Sequence, residues 1–129
     1  MRASGLPYTI VRPGWFDKNG ADQQRLFLLQ GDRRQAGDPS DGAIARRQIA
    51  QVLVTSLSSD HARCKTFELV AETGPASDDL DELFAALDRD DAEGDLDGVQ
   101  DLANMPADEE PQWIRDDLKA IRSRLTSSR

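Results

Sequence analysis

The stretch that decides the fold is Pro7-Tyr8-Thr9-Ile10-Val11-Arg12-Pro13-Gly14, near the start of the chain. Its centre holds aromatic and β-branched residues in succession, and the run is too short to form a helix of its own. This pattern is typical of a strand in a parallel sheet, which is covered on both faces. Proline and glycine then favour a turn. The sequence therefore predicts a mostly buried strand that ends at Pro13 and Gly14.

A helix and a second strand are predicted downstream. Apolar residues recur at helical spacing between residues 46 and 58: Ile49, Val52, Leu53 and Leu57. This spacing predicts a helix with one apolar face, and residues 65–70 then alternate as a strand does. The order strand, helix, strand favours a parallel unit with a right-handed crossover. Before the helix, residues 26–29 fit either a short strand or a helical turn, and the polar residues 31–42 predict a loop.

Charge divides the 129-residue chain into two unlike parts. Residues 1–71 carry 7 acidic and 10 basic side chains, residues 72–129 carry 17 acidic and 6 basic ones, and the whole chain has a net charge of −8. Nucleic acid and anionic membrane surfaces repel an acidic chain, and no apolar run approaches the ~18 residues of a membrane span. The single cysteine, Cys64, fits a reducing compartment. We therefore expect a cytoplasmic protein with no nucleic-acid or membrane partner.

Two further helices are predicted in the acidic part. The first covers about residues 79–87, and Ser77 or Asp78 can cap it. The second begins near Pro111, a favourable first helical residue. Its apolar stripe consists of Ile114, Leu118, Ile121 and Leu125. Residues 88–110 between the two helices are acidic and predict a linker.

The turn at the end of the first strand is the candidate binding site. Ligands of open parallel sheets lie outside the carboxyl ends of the strands. Gly14 has no side chain to block the close approach of a ligand, and Trp15 and Phe16 would then supply apolar walls. The alternative is a plain turn whose two aromatic side chains pack on the core.

Other motifs do not predict a catalytic residue or a metal site. The nine glycines contain no G-x-G, so the dinucleotide fingerprint and the phosphate loop are both missing. Tyr8 and Arg12 have the spacing of a Tyr-x-x-x-Lys pair, but residues four apart in a strand lie roughly 13 Å from each other. His61 and Cys64 are too few for a closed zinc site. Residues 93–104 imitate a calcium loop without the bidentate glutamate at its last position.

Three segments resemble one known family. Arg2-Ala3-Ser4-Gly5-Leu6-Pro7-Tyr8-Thr9-Ile10-Val11-Arg12-Pro13-Gly14-Trp15-Phe16 resembles the "SGL-x-YTI-x-RPG" segment of atypical short-chain dehydrogenase/reductases, the NAD(P)H-binding, NmrA-like relatives of sugar epimerases. Residues 44–50 are similar to the family's "ISR-x-DVA" segment, and residues 65–69 to its "KTFEL" strand. Gln48 departs from the usual acid, which puts in doubt any ion pair of that acid with Arg46.

The resemblance implies an α/β fold. Residues 1–72 would be the C-terminal portion of a Rossmann-type parallel sheet, and residues 73–129 an acidic helical extension. In the family, the residues matching Pro13 and Gly14 lie beside the nicotinamide end of NAD or NADP. The residues matching Trp15 and Phe16 begin the substrate loop.

The family's glycine-rich loop lies upstream of the segment that begins at Arg2, as does the catalytic Ser, Tyr and Lys group in those members that have one. The resemblance therefore implies a truncated oxidoreductase or epimerase-like protein without a catalytic residue. It would contribute the nicotinamide- and substrate-side wall of a pocket for a small-molecule substrate, with weak or absent cofactor binding by this chain alone.

A half-sheet exposes an apolar strand edge, which invites pairing with another chain. We therefore expect a homo-oligomer, or assembly with a missing N-terminal half, with residues 8–12 or 66–70 near the contact. The alternative function is a non-catalytic module for cofactor sensing or protein interaction, because the fold alone does not determine function.

Overall fold

The computed structural model describes residues 1, 5–17, 19–31, 33–34, 36–77, 79–90 and 109–127. These ranges contain five strands: β1 (Thr9–Pro13), β2 (Phe16–Asp17), β3 (Arg25–Leu29), β4 (Ile44–Ala45) and β5 (Lys65–Glu72). They contain three α-helices: α1 (Arg46–Ser56), α2 (Leu80–Ala85) and α3 (Gln112–Ser127). Short 3-10 turns lie at Pro39–Asp41 and Asp60–Ala62. The predicted α/β class is confirmed.

The main sheet has three strands in the order β1-β5-β3. β1 pairs with β5 in parallel, with Val11 opposite Phe67. Because α1 lies between these strands in the sequence, the predicted strand–helix–strand unit is confirmed. β3 pairs with β5 in the antiparallel direction, with Phe27 opposite Val70. Residues 26–29 therefore form a strand and not a helical turn.

β5 is the central strand of this sheet. Its residues Phe67, Leu69 and Ala71 are fully buried, and Val70 on the other face is 2% exposed. Burial of both faces is typical of a strand that is covered by other elements on both sides. The residues of β1 from Thr9 to Arg12 are only half-buried. β1 is thus less buried than its sequence predicts, since in the described part of the chain it pairs with β5 alone.

A continuous apolar core joins the sheet to the helices. Its largest buried members are Ile44, Val52, Phe67, Leu69 and Phe84. The ring centroids of Phe67 in β5 and Phe84 in α2 lie 5.8 Å apart, within the range that favours aromatic pairs. Burial of each phenylalanine contributes roughly 2–3 kcal/mol. α2 therefore packs on the sheet, although it follows the predicted boundary at residue 72.

The cap of α2 differs from the predicted one. Asp79 is the N-cap, and its carboxylate accepts hydrogen bonds from the N–H groups of Asp81 and Glu82. The hydroxyl of Ser77, one of the two predicted caps, instead accepts the N–H of Leu26 at 3.2 Å. The other predicted cap, Asp78, lies outside the described residues. Ser77 thus bonds to the backbone of β3, and Asp79 caps α2 in its place.

The predicted apolar face of α1 is only partly buried. Val52 is fully buried and Ile49 packs against the core. Leu53 and Leu57 are 47% and 87% exposed, so the prediction that they face the core is wrong. The polar side chain of Gln48 is buried in the first turn of the helix instead.

α3 begins directly after Pro111, as predicted, and the Pro111 carbonyl accepts the N–H groups of Ile114 and Arg115. Ile114, Leu118 and Ile121 are half-buried, whereas nothing is described of the Leu125 side chain. Most of the predicted linker, including residues 93–104, lies outside the described residues. Among those that are described, we find no helix of the length and apolar character needed to span a bilayer.

Candidate site at the carboxyl end of the parallel strands

The Pro-Gly turn leaves β1 at the carboxyl end of the two parallel strands. The Gly14 N–H donates a hydrogen bond of 3.0 Å to the carbonyl oxygen of Leu69. This bond keeps the turn attached to β5, next to the last strand pair, in which Pro13 lies opposite Leu69. A Cβ atom at Gly14 would lie 3.1 Å from Cγ1 of Val70, closer than ordinary van der Waals contact. The missing side chain of Gly14 thus lets the turn approach the sheet closely.

A second glycine packs against the same valine. A Cβ atom at Gly42 would lie 2.9 Å from Cβ of Val70 and 3.1 Å from the carbonyl oxygen of Ala71. Gly42 has φ +106°, a conformation that side-chain-bearing residues rarely adopt. Val70 therefore lies between the turn at Gly14 and the end of the loop at Gly42, and this packing sets how the two approach each other.

Trp15 and Phe16 continue from the turn with ordered backbone and half-exposed rings. The Trp15 carbonyl accepts the N–H of Ile44 at 2.8 Å, and Phe16 is the pairing partner of Ile44 between β2 and β4. Trp15 is 49% exposed and Phe16 is 53% exposed. The alternative in which both aromatic side chains pack on the core is therefore wrong. An exposed aromatic residue offers an apolar surface to a planar ligand.

An ion pair lies beside these aromatic residues. Nε of Arg46 at the start of α1 is 3.0 Å from Oδ1 of Asp17 at the end of β2. Both side chains are more than half exposed, so this pair contributes at most about 1 kcal/mol. Asp17 has φ 138°, a strained conformation that is concentrated at functional sites. Arg46 thus has an acidic partner even though position 48 is not an acid.

The buried side-chain amide of Gln48 forms hydrogen bonds through both its oxygen and its nitrogen. Its Oε1 atom accepts the Ala45 N–H at 2.8 Å and an Nδ2 hydrogen of Asn19, with a donor–acceptor distance of 2.7 Å. Its Nε2 donates to the carbonyl oxygen of Gln23 at 2.9 Å. The bond to Ala45 is the return bond of a capping box, which a glutamate also forms. The bond to Gln23 requires a donor, which only the amide supplies.

We expect Gln48→Glu to lower the free energy of unfolding by about 1–3 kcal/mol, because a carboxylate oxygen would face the Gln23 carbonyl without a proton between them. Urea unfolding measures the change. Gln51→Glu makes the same chemical change on the exposed face of α1 and should change stability by no more than about 0.5 kcal/mol. Equal stability of both variants would show that the Nε2 donor is dispensable.

Arg34 is already engaged at the same edge of the sheet. It forms an ion pair with Glu72, the last residue of β5. Its Nη1 donates to the Asp41 carbonyl oxygen at 3.1 Å, and its guanidinium lies 5.7 Å from the centre of the Phe27 ring. These contacts join Arg34 and the 3-10 turn at Pro39–Asp41 to the sheet.

A serine, a histidine and an aspartate meet at the opposite end of the sheet, which sequence reasoning missed. Ser59 donates a hydrogen bond to Asp81, and Nδ1 of His61 lies 2.9 Å from Oδ2 of the same carboxylate. These two hydrogen bonds, the one from Ser59 first, hold the pKa of Asp81 below its ordinary value. The serine bonds to the carboxylate and not to the imidazole, so this is not the geometry of an activated nucleophile.

The structure does not arrange the Tyr8 and Arg12 pair, or the His61 and Cys64 pair, as a catalytic site or a metal site. Tyr8 lies just before β1, and its hydroxyl donates to Oδ2 of Asp90 at 2.9 Å. His61 and Cys64 belong to no cluster: within the described ranges, no three His, Cys, Asp or Glu side chains are grouped so that they could hold a metal ion.

Comparison with known proteins bears directly on the Pro-Gly turn. Residues 1–60 match the model of a family described as NAD(P)H-binding. This match confirms the predicted resemblance to NAD(P)H-binding proteins over these residues. The matched segment contains β1, all four candidate residues and α1.

The family's relatives include a named reductase. The chain is 31% identical over 87 residues to sanguinarine reductase of Eschscholzia californica, covering 65% of this chain and 31% of that protein. It is 37% identical over 91 residues to the chloroplastic protein High Chlorophyll Fluorescence Phenotype 173 of Arabidopsis thaliana, covering 67% of this chain and 14% of that protein. It is 34% identical over 88 residues to the chloroplastic uncharacterized protein At2g37660 of the same plant, covering 65% of this chain and 26% of that protein.

The chain spans less than a third of the length of these relatives. The family match supports binding of a nicotinamide cofactor in general and does not distinguish NAD from NADP. Two relatives are named as chloroplastic, and the cytoplasmic location of this chain stays a prediction.

Proposed function

We propose that this chain forms the nicotinamide- and substrate-facing wall of an NAD(P)H-dependent oxidoreductase that acts on a small molecule. The observation that carries the proposal is the Pro13 and Gly14 turn at the carboxyl end of a parallel strand, inside the segment that matches the NAD(P)H-binding family. Ligands of open α/β sheets lie at this end. The name of sanguinarine reductase supports a reductive reaction.

The geometry of the turn supports the proposed roles of the four residues. Pro13 and Gly14 lie against the nicotinamide, because Gly14 packs the turn closely on the end of β5 and neither residue carries a long side chain. Trp15 and Phe16 cover the substrate side, where their exposed rings exclude water from the reacting atoms. The bound nicotinamide would supply the hydride. The chain itself orients the ring and shields it.

Binding of the pyrophosphate and adenosine is assigned to residues outside this chain. The sequence has no G-x-G segment, and Arg34 and Arg46, which lie near the site, have carboxylate partners. The chain alone is therefore expected to bind NADPH more weakly than micromolar and to have no reductase activity. An N-terminal half that carries the glycine-rich loop would complete the site.

Single-tryptophan variants test this proposal, because the chain has two tryptophans. Trp113→Phe leaves Trp15 as the only indole, and Trp15→Phe leaves Trp113 of α3 as the matched control. The oxidised nicotinamide ring quenches an indole on contact. We expect millimolar NADP to quench the fluorescence of Trp15 and to leave that of Trp113 unchanged after absorbance correction.

Calorimetric titration of the parent chain with NADPH completes the test. A micromolar dissociation constant would contradict the proposed division of the cofactor site between this chain and other residues. Quenching confined to Trp113 would contradict the placement of the nicotinamide at Trp15.

A further inference from the structure

A cleft of about 520 Å³ lies at the other end of the parallel strands. It is lined by residues 5–7, which precede β1, by residues 63–65, of which Lys65 begins β5, and by His61 and Arg89. The five residues of β1 separate it from the turn at Pro13 by roughly 16 Å. This amino-end cleft is thus distinct from the nicotinamide-facing edge.

The amino-end cleft concentrates positive charge in a chain of net charge −8. Arg63, Lys65 and Arg89 line it, with Asp60 as the single carboxylate among its lining residues in the described part of the chain. Nη1 of Arg63 is 3.8 Å from Oδ1 of Asp60, and the Asp60 side chain is 95% exposed, so this ion pair is weak. The cleft therefore carries an excess of cationic groups.

Lys65 is the buried member of this cationic group, and burial of its charge costs free energy. The residue is 5% exposed, and its Nζ donates to the carbonyl oxygen of Phe84 at 2.6 Å. That acceptor is neutral and engages one of the three ammonium hydrogens. Burial lowers the pKa of Lys65, and repulsion from Arg89 lowers it further, against the weaker attraction of Asp88 and Asp81. An anion in the cleft would offset the cost of the buried charge.

We propose that the amino-end cleft binds the phosphate group of a small molecule. Its three cations come from two segments that meet at one space: Arg63 and Lys65 flank Cys64 at the entry to β5, and Arg89 follows α2. Two arginine forks and a buried ammonium are the donors that bind phosphate oxygens best. Leu6 and Pro7 line the same space and offer apolar surface to the organic part of a phosphate ester.

Cys64 reports on occupancy, because it is the single cysteine of the chain and lines the cleft. The rate of its alkylation by uncharged iodoacetamide is measured with phenyl phosphate, with inorganic phosphate, and with sodium chloride at matched ionic strength. We expect saturable protection of about fivefold or more by phenyl phosphate. Stronger protection by phenyl phosphate identifies an ester as the ligand, and equal protection by inorganic phosphate identifies the free ion. Protection by neither phosphate, or equal protection by chloride, would overturn the proposal.

Variants of the two exposed arginines locate the site. Arg63→Gln combined with Arg89→Gln should abolish the protection, while Lys65 is left intact because its bond to Phe84 supports the end of α2. Arg47→Gln removes an exposed charge of α1 that does not line the cleft and should leave the protection unchanged. Full protection in the double variant would overturn the assignment of the phosphate to this cleft.

Discussion

Phe84→Ala is expected to lower the free energy of unfolding by about 3–5 kcal/mol, the largest effect of any substitution considered for this chain. Phe84 is fully buried, and its ring packs against that of Phe67 in the central strand. Removing the ring leaves a cavity between α2 and β5 that the surrounding residues fill only in part. Because small domains are stable by about 5–15 kcal/mol, this loss brings the fold close to unfolding.

Leu57→Ala is the matched control for Phe84→Ala. Leu57 is 87% exposed at the end of α1, so its truncation should change stability by no more than about 0.5 kcal/mol. Urea unfolding followed by circular dichroism measures both variants. The comparison also tests the proposed division at residue 72: if residues 73–129 were an independent extension, Phe84→Ala would leave the stability of residues 1–72 unchanged.

Gly42→Ala is expected to cost about 2–4 kcal/mol, from backbone strain and overpacking together. Its φ of +106° disfavours any side chain, and the new Cβ would meet Cβ of Val70 at 2.9 Å. Because Val70 also packs against Gly14, the strain should reach the candidate site and shift the fluorescence of Trp15.

Gly37→Ala separates the two causes of this loss. Gly37 also has a positive φ, +76°, but a Cβ atom there would meet nothing within 4 Å. We expect only the backbone cost, about 1 kcal/mol. Equal losses in the two variants, measured by urea unfolding, would show that the packing of Gly42 on Val70 contributes nothing.

The strand–helix–strand unit could be predicted because its signals are local. A run of β-branched residues defines β1, and helical spacing of apolar residues defines α1. β3 could not be assigned in advance, since residues 26–29 satisfy both a strand and a helical turn, and only pairing with β5 decides between them. The face of α1 was predicted in part, because hydrophobicity alone does not show that the amide of Gln48 finds buried partners.

The candidate site was predictable as a turn but not as a packed arrangement. The Pro-Gly pair and the two aromatic residues after it can be read in the sequence. The contact of Val70 with both Gly14 and Gly42 depends on residues that are far apart in the chain. The amino-end cleft depends likewise on Arg63, Lys65 and Arg89, whose convergence requires the fold. The one feature of the sequence that pointed to an anion site was the excess of basic residues before residue 72.

The proposed wall contacts the nicotinamide half of the cofactor and not the adenosine half, and the indole Nε1–H resonance of Trp15 tests this most directly. The resonance is followed by NMR in the Trp113→Phe protein during separate titrations with nicotinamide mononucleotide and adenosine diphosphate. We predict that the mononucleotide moves the Trp15 resonance in a saturable manner and that the diphosphate leaves it in place. If the mononucleotide does not shift the resonance, or if adenosine diphosphate shifts it equally, the placement of the nicotinamide beside Gly14 and Trp15 is contradicted.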